Sequence, residues 1–403
     1  MTDSNKNLYR ATQLFGISTF DLGDDDSNLG IWDGEKFIIT VCLQILPLSL
    51  LFLHLPKLTS QGFLGRWWDT LKVLWRYGYR SPTTTSALVK EMVSKFVTLY
   101  STTHGWSRVE ELSAMLNFTE FTATDTASYL LSQGVGAPFI YEFVEAATRV
   151  NYGQNIDKIH ALEGLVSMAA TGAVTAIGGN FQIFAGFLNR SNAKVHLRTT
   201  VTAIQKDDDG WRLDIEDTQK PGNFGTTKPF DAVIVAAPHK STNISFPSSS
   251  AKVPPVPYVH LHVTLFTTTS PSANPAYFNL PEGSTIPSMI ITSAEATRQG
   301  GPEPDFNSMN YLQQVSADRQ EWVVKIFSKK RIGDDWLETV FGKGKIGWVL
   351  RHEVSLLNLP LAMIDKIAVG CLPRLTTHYE ISNDGTRRWS LLRQRFRKVR
   401  ESF

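Results

Sequence analysis

Residues 148–180 read TRVNYGQNIDKIHALEGLVSMAATGAVTAIGGN, and this stretch decides the fold. The preceding PFIYEFVEAATRV is predicted to be a helix because its apolar residues recur at helical spacing, and Gly153 is predicted to end it. At the far end, Gly178, Gly179 and Asn180 follow a run of small residues, where bare backbone can approach a flat ligand closely. In isolation, Gly-Gly-Asn more often forms a plain turn between two helices.

Further segments accompany this stretch in a fixed order. They are GIWDGEKF at 30–37, LKVLWRYGY at 71–79, DAVIVAAP at 231–238 and VVKIFSKK at 323–330. Together with RVNYGQ and the later GGN, they resemble the prenylcysteine oxidase, or prenylcysteine lyase, flavoproteins, which are built on an amine-oxidase-like FAD scaffold. The resemblance covers roughly residues 28 to 40 and 66 to 353.

The resemblance implies an α/β fold, with a mixed sheet around 258–266 and 322–327 and a helical layer over 66–150. Family members open with a βαβ unit whose GxGxxG glycines place the FAD pyrophosphate at a helix N-terminus. No such motif follows a predicted strand here, because the GxGxxG at 342–347 follows a helical pattern. We therefore expect a scaffold that lacks its first Rossmann unit and binds FAD weakly.

Site residues are assigned through the same resemblance. Tyr152 and Gln154 are the weaker candidates, for the lining of the substrate pocket. DAVIVAAP is a short apolar run typical of a buried parallel strand, whose end would lie near the cofactor. The residues expected to contact FAD are Gly178, Gly179 and Asn180 at the flavin, Val201 at the adenine, and Ala236, Ala237 and Pro238 at the end of that strand.

The chemistry implied by the resemblance is oxidation of a prenylated cysteine to a prenyl aldehyde, free cysteine and hydrogen peroxide. The carbon between sulfur and the allylic double bond gives up a hydride readily, and a flavin accepts two electrons without an acid or a nucleophile from the protein. No GxSxG motif is present, and His260 and His262 have no third metal ligand nearby in sequence. The catalytic residues are therefore unknown from sequence, and no metal is expected.

Composition excludes several other classes of protein. A chain of 403 residues can form one large enzyme or two modest domains. The formal net charge of +2 argues against a nucleic-acid partner, and two cysteines exclude a disulfide framework. The expected partner is a small prenylcysteine molecule.

The most hydrophobic run, IITVCLQILPLSLLFLHL at 38–55, has three interpretations. Its length fits a membrane span, although a proline and two polar residues oppose that assignment and membrane association is not favoured. The codons that can encode residues 41–61 include the consensus sites of a fungal intron, so the second interpretation is a translated intron. The third is a buried helix. The expected divisions are a polar segment at 1–65 containing this insert, a flavoprotein domain at 66–353, and a tail of doubtful reading frame at 354–403.

Localisation rests on weak signals. The polar start of the chain lacks the apolar core of a signal peptide, which taken literally predicts a cytoplasmic protein. Asn117, Asn189 and Asn243 nevertheless stand in glycosylation sequons, and the resemblance implies a vacuolar or lysosomal glycoprotein.

Overall fold

The structure is a computed structural model that describes residues 5–21, 28–42, 71–102, 105–106, 108–169, 174–237, 242–247, 258–316 and 319–357. Pro238, the hydrophobic run after Cys42 and the tail after Leu357 lie outside the described residues. The chain divides into two compact units. The first comprises Met1–Lys194 and Val256–Asp365, and the second comprises Val195–Pro255 and Lys366–Phe403.

A seven-stranded mixed sheet is the centre of the first unit, as predicted. Only β2 and β9 pair in parallel, and all other neighbours are antiparallel. Its strands, in spatial order, are β12 (Ile346–Leu357), β8 (Tyr258–Thr268), β11 (Arg319–Ser328), β10 (Ser308–Ser316), β9 (Met289–Thr292), β2 (Asn28–Trp32) and β3 (Phe37–Cys42).

One face of this sheet packs against a helix. Phe266, Ile326 and Met309 are each at most 1% exposed on neighbouring strands, and they form a core with helix α10 (Asp334–Phe341). Leu337, Val340 and Phe341 supply the helix side of that core, at the spacing of one helical face.

The opposite face can be followed along a single row of paired residues. From β3 to β12 the row reads Val41, Leu29, Met289, Asn310, Lys325, Leu265 and Leu350. Directly paired residues point to the same side of a sheet, so these seven side chains share one face. The first three pack into the core formed with the helical layer, whereas the last four belong to neither hydrophobic core.

The helical layer predicted for 66–150 is confirmed where it is described. A π-helical turn, Phe139–Val144, leads directly into α6, and Gly153 ends that helix with a left-handed φ of 69°, as predicted. Residues 71–77 are also helical. The layer contains α2 (Arg80–Val97), α3 (Val109–Met115), α4 (Thr119–Ala123), α5 (Thr126–Ser132), α6 (Glu145–Tyr152) and α7 (Ala161–Ser167).

The remaining elements of the first unit are short. Strand β1 (Thr19–Asp21) pairs with β4 (Val174–Ala176), and helix α1 (Lys6–Leu14) contacts α8 (Phe181–Ser191). A single-turn helix, α9 (Glu295–Arg298), follows β9.

The second unit contains a hairpin but not the predicted buried strand. Strands β5 (Thr199–Asp207), β6 (Gly210–Asp217) and β7 (Phe224–Thr226) form an antiparallel sheet. The prediction that DAVIVAAP is a buried parallel strand is wrong for its described part, residues 231–237, which form no strand. Ile234 is 90% exposed there. The segment has no partner strand among the described residues, and without one its apolar run cannot be buried in a sheet.

Two further segments are strands in the structure. Residues 346–353 form most of β12, which continues to Leu357 and pairs with β8 along its length. The hydrophobic run at 38–55 begins inside a sheet, because Ile38 to Cys42 belong to β3 and pair with β2. Among the described helices, none is both long and apolar enough to cross a membrane.

Candidate active site

A fully buried arginine fixes the end of α6. Arg149 donates through Nε to Thr292 Oγ1 of β9 at 3.0 Å, and through Nη1 to Asn155 Oδ1 at 2.7 Å. Both terminal nitrogens lie 3.0 Å from Glu303 Oε1, which also accepts from Lys329 at 2.7 Å. These bonds join the helix, the sheet and the loop that follows the helix.

The charges around Arg149 compensate one another. Burial opposes ionisation of Glu303, but Lys329 and Arg149 outweigh that cost and hold its pKa below the usual value. Glu145, one turn earlier on α6, accepts from the backbone N–H of Ala294 at 3.1 Å and pairs with Arg298. Burial raises the pKa of Glu145, although Arg298 opposes the rise.

The segment that we call the RVNYGQ loop, residues 149–154, consists of the last turn of α6 and the two residues after it, and it lies directly against the sheet. A Cβ placed on Gly153 would come within 2.7 Å of Leu261 Cδ1 on β8, so only glycine permits this approach. Thr148 Oγ1 donates to the carbonyl of Gln154 at 3.0 Å, which holds the chain just beyond the helix. Tyr152 and Gln154, the two predicted pocket residues, therefore flank a glycine in contact with β8.

Burial differs between the two predicted pocket residues. Gln154 is 5% exposed, while Tyr152 is half-buried and burial raises its pKa to about 12, so the phenol is protonated at neutral pH. Leu261 lies on the same face of β8 as Leu265, about 13 Å along the strand. The loop thus stands at one end of the part of this face that neither core covers.

We call that part the open sheet face, defined by Leu265, Val323, Lys325, Phe327 and Leu350. Leu350 is 42% exposed and the other four are half-buried. Lys325 lies over the ring of Phe327, with Nζ 4.9 Å from its centroid, and burial lowers the pKa of the lysine. The surface is apolar and carries one cation.

The Gly-Gly-Asn sequence forms a turn between a strand and a helix rather than between two helices. Gly178 and Gly179 have φ values of 85° and 113°, in the region that favours glycine. Asn180 Oδ1 accepts from the N–H of Ala176 at 3.0 Å and from Thr175 Oγ1 at 3.3 Å. The side-chain oxygen of Asn180 thus holds the turn itself, which sequence reasoning had not foreseen.

The other predicted cofactor residues lie in the second unit. Val201 pairs with Ile215 in the β5–β6 hairpin, and Ala236 and Ala237 are in the exposed segment described above. Whether any of these residues contacts a cofactor stays a prediction.

The expected FAD fits the described residues in part. At the Gly178–Gly179 turn, backbone free of side chains stands beside Ile177, which is 56% exposed, and this suits a flat ring system. Strand β4, the Gly178–Gly179 turn and α8 do follow one another, but the turn reads IGGN and lacks the GxGxxG spacing that cradles a diphosphate. Gly342 and Gly344 follow α10 directly, as expected, and not a strand.

His260 and the three asparagines of the glycosylation sequons are exposed. His260 pairs with Glu353, with 3.0 Å between Nδ1 and Oε1, on an exposed part of the sheet. The described residues hold no group of three or more potential metal ligands. Asn117, Asn189 and Asn243 are all exposed, as glycosylation would require.

Sequence reasoning missed the charged side chains of the helix before Gly153. Glu142, Glu145 and Arg149 stand three and four residues apart, so they share one helical face, and all three are buried. Charged residues placed within an apolar helical stripe are the available signal, because such groups are buried only when partners on other elements satisfy them.

Comparisons with known proteins place these features in a family. The sequence model described as Prenylcysteine lyase matches residues 64–357, well over half of the chain. A farnesylcysteine lyase from Arabidopsis thaliana is 26% identical over 329 residues, covering 79% of this chain and 59% of the relative. Prenylcysteine oxidase 1 from Rattus norvegicus is 26% identical over 291 residues, covering 64% of this chain and 56% of the relative. The chain therefore spans less than two thirds of the length of these relatives.

Solved structures give more distant matches. A CLA-producing fatty acid isomerase from P. acnes aligns with a TM-score of 0.49 and 11% identity, over 92% of this chain and 77% of the other. A single-site mutant of a putrescine oxidase, made in a redesign of its cofactor binding, aligns with a TM-score of 0.47 and 11% identity, over 88% and 72%. The family match rests on sequence, and by it the chain belongs to the prenylcysteine lyase family.

Proposed function

We propose that this protein is a FAD-dependent oxidase that cleaves the thioether of prenylated cysteine. The observation that carries the proposal is the family match over residues 64–357, which includes the RVNYGQ loop and every strand of the open sheet face. An apolar surface on this scale suits a long prenyl chain, and the loop beside it provides polar groups to orient the cysteine end.

The proposed reaction balances with oxygen as the electron acceptor. Prenylcysteine, water and O₂ give a prenyl aldehyde, free cysteine and hydrogen peroxide. When bound, FAD would supply the two-electron acceptor for the hydride that leaves the carbon next to sulfur. The sulfur and the allylic double bond stabilise the positive charge left on that carbon, so no acid or nucleophile from the protein is required.

The role of the protein is then to bind and orient the substrate and to exclude water from it. Leu265, Phe327 and Leu350 offer apolar contacts to the prenyl chain, and Tyr152 presents a protonated phenol at neutral pH. Holding the reacting carbon in one position and excluding water are sufficient contributions for hydride transfer. Gly178, Gly179 and Asn180 are proposed at the flavin ring, with Val201, Ala236, Ala237 and Pro238 as further cofactor contacts.

The biological setting proposed is the breakdown of prenylated proteins in a vacuole or lysosome. The exposed sequons at Asn117, Asn189 and Asn243 support that setting. Mass spectrometry of the protein isolated from its source would test it, since occupied sequons show that the chain has entered the secretory pathway.

The activity is tested on the full chain with FAD added in excess. We expect the purified protein to be colourless, because no GxGxxG motif follows a strand among the described residues. With S-farnesylcysteine, peroxide, farnesal and free thiol should appear in equal amounts, each dependent on FAD. Bound FAD with none of the three products would contradict the oxidase assignment.

A second candidate is a non-catalytic product of the same family. It is favoured by the sequence pattern, in which no GxGxxG motif follows a predicted strand. The same assay separates the two candidates, because a non-catalytic chain binds S-farnesylcysteine without FAD-dependent release of thiol.

A further inference from the structure

Lys325 occupies an unusual position in the middle of the sheet. Its row on this face runs from Asn310 on β10 through Lys325 on β11 to Leu265 on β8 and Leu350 on β12. The second face of an antiparallel sheet is often polar when the first, here with Ile326, is a core, but the neighbours of Lys325 on its own face include Leu265 and Phe327. A lysine at this place gives up part of its hydration without gaining an anion.

The charge of Lys325 is unpaired within the described part of the chain. No carboxylate there lies within ion-pair distance of its Nζ, and its one polar contact is with the face of the Phe327 ring. By contrast Lys329, four residues later, pairs with Glu303 at 2.7 Å. A half-buried ammonium without an anion is costly, and it is retained where an external anion completes the pair.

We propose that Lys325 binds the α-carboxylate of prenylcysteine, while the apolar residues of the open sheet face hold the prenyl chain. This proposal rests on the proposed function and adds to it a residue that selects the free amino-acid form of the substrate. One cation set in an apolar surface complements a ligand that has one carboxylate and a long hydrocarbon chain. An uncharged lipid would leave the ammonium unpaired.

Asn310 extends the complementarity to the other charge of the ligand. It is the direct neighbour of Lys325 on β10, it is half-buried, and its side chain makes no hydrogen bond within the described residues. Neighbouring strands lie about 4.8 Å apart, so the side chains of Asn310 and Lys325 can both contact one ligand of amino-acid size. The amide oxygen of Asn310 can accept from the ammonium group while Lys325 holds the carboxylate.

The test is a binding experiment on the full chain, independent of FAD. Calorimetry measures the affinities for S-farnesylcysteine and for its methyl ester, which keeps the prenyl chain and the ammonium but lacks the carboxylate charge. Lys325→Met should weaken binding of the free acid about tenfold or more, the usual effect of losing a hydrogen bond between charged groups. The same variant should leave the affinity for the ester within about twofold of the wild type.

Matched variants separate charge from fold. Lys325→Arg keeps the cation and should retain most of the affinity for the acid. Lys330→Met removes an exposed cation two residues beyond the end of β11 and should change neither affinity. Circular dichroism spectra of all variants should match the wild type.

Three other outcomes would overturn the proposal, and each identifies a different error. If the wild type binds the acid and Lys325→Met binds it equally well, the role of the lysine is wrong and the proposed function stands. If the wild type binds neither prenylcysteine compound, the substrate class itself is wrong. If Lys325→Met loses affinity for FAD and not for the acid, the lysine belongs to the cofactor.

Discussion

One face of the seven-stranded sheet has two halves that differ in what covers them. In the covered half, Leu29, Ile31 and Val41 are at most 5% exposed beneath the helical layer. In the other half, Leu265 and Leu350 are also apolar, yet they remain outside both cores. Both halves therefore contain apolar residues, and they differ in whether helices pack against them.

The difference in coverage between the two halves indicates where a ligand can bind in this fold. Burial of apolar surface is the main stabilising term, so a folded chain gains by covering both halves. The half left open carries a lysine with no anion among the described residues, lies beside the RVNYGQ loop, and is the part of the face to which we assign the substrate. The predictions below test the two halves in order of expected effect.

The largest effect should come from the polar anchor of the covered half. Arg149→Met removes the bonds to Thr292, Asn155 and Glu303, and we expect a loss of about 3 to 5 kcal/mol of stability, since each hydrogen bond of a charged group contributes about 1.5 to 3 kcal/mol. Arg331→Met is the matched control, because Arg331 is exposed and makes no hydrogen bond or ion pair with the described residues. Urea unfolding measures both, and equal midpoints would contradict the anchoring role.

Acid should loosen the helical layer through His160, the N-cap of α7. Its Nδ1 accepts from the N–H of Glu163, and burial lowers its pKa to about 4. Between pH 6.5 and 4, His160 binds a proton in the unfolded chain but not in the folded chain. Stability therefore falls as pH falls, by roughly 3 kcal/mol at most.

The control for that effect is His160→Asn, which keeps an acceptor at the N-cap but cannot titrate. Its free energy of unfolding should vary less than that of the wild type between pH 7 and pH 4. An identical pH profile would show that His160 is not the group responsible.

Truncation of apolar side chains should separate the halves directly. Ile31→Ala in the covered half creates a cavity and should cost about 3 kcal/mol, whereas Leu265→Ala in the open half should cost about 1 kcal/mol. Prenylcysteine binding should respond in the opposite order, with Leu265→Ala the weaker binder. Equal losses of stability would mean that the open half is covered in solution.

The smallest effect should come from the contact between loop and sheet. Gly153→Ala introduces both a strained φ and a methyl group 2.7 Å from Leu261. Gly300→Ala has a comparable φ of 88° but meets nothing within 4 Å, so it isolates the backbone strain. We expect Gly153→Ala to cost about 1 kcal/mol more than Gly300→Ala in urea unfolding. Equal costs would show that the approach to Leu261 is not tight.

Much of this architecture could be predicted from sequence. Helical periodicity predicted α6 and Gly153 predicted its end, because these signals are local. The strands at β8 and β11 were predicted through the family resemblance. The DAVIVAAP segment was wrongly predicted to be a buried strand, because a buried strand depends on partner strands that its own residues do not specify. Arg149 escaped notice because the role of a buried charge depends on distant contacts, here with Thr292, 143 residues away. Lys325 escaped notice because its apolar neighbour Leu265 is set by strand pairing, which a single strand does not reveal.

The most direct test of the account is photo-crosslinking with an S-prenylcysteine analogue that carries a diazirine in its prenyl chain. The label should be found by peptide mapping in 258–268, 319–328 and 346–357, should be competed by S-farnesylcysteine, and should fall in the Lys325→Met variant. Labelling confined to 28–42, or to the exposed helix at 181–191, would contradict the assignment of the substrate to the open half of the sheet face.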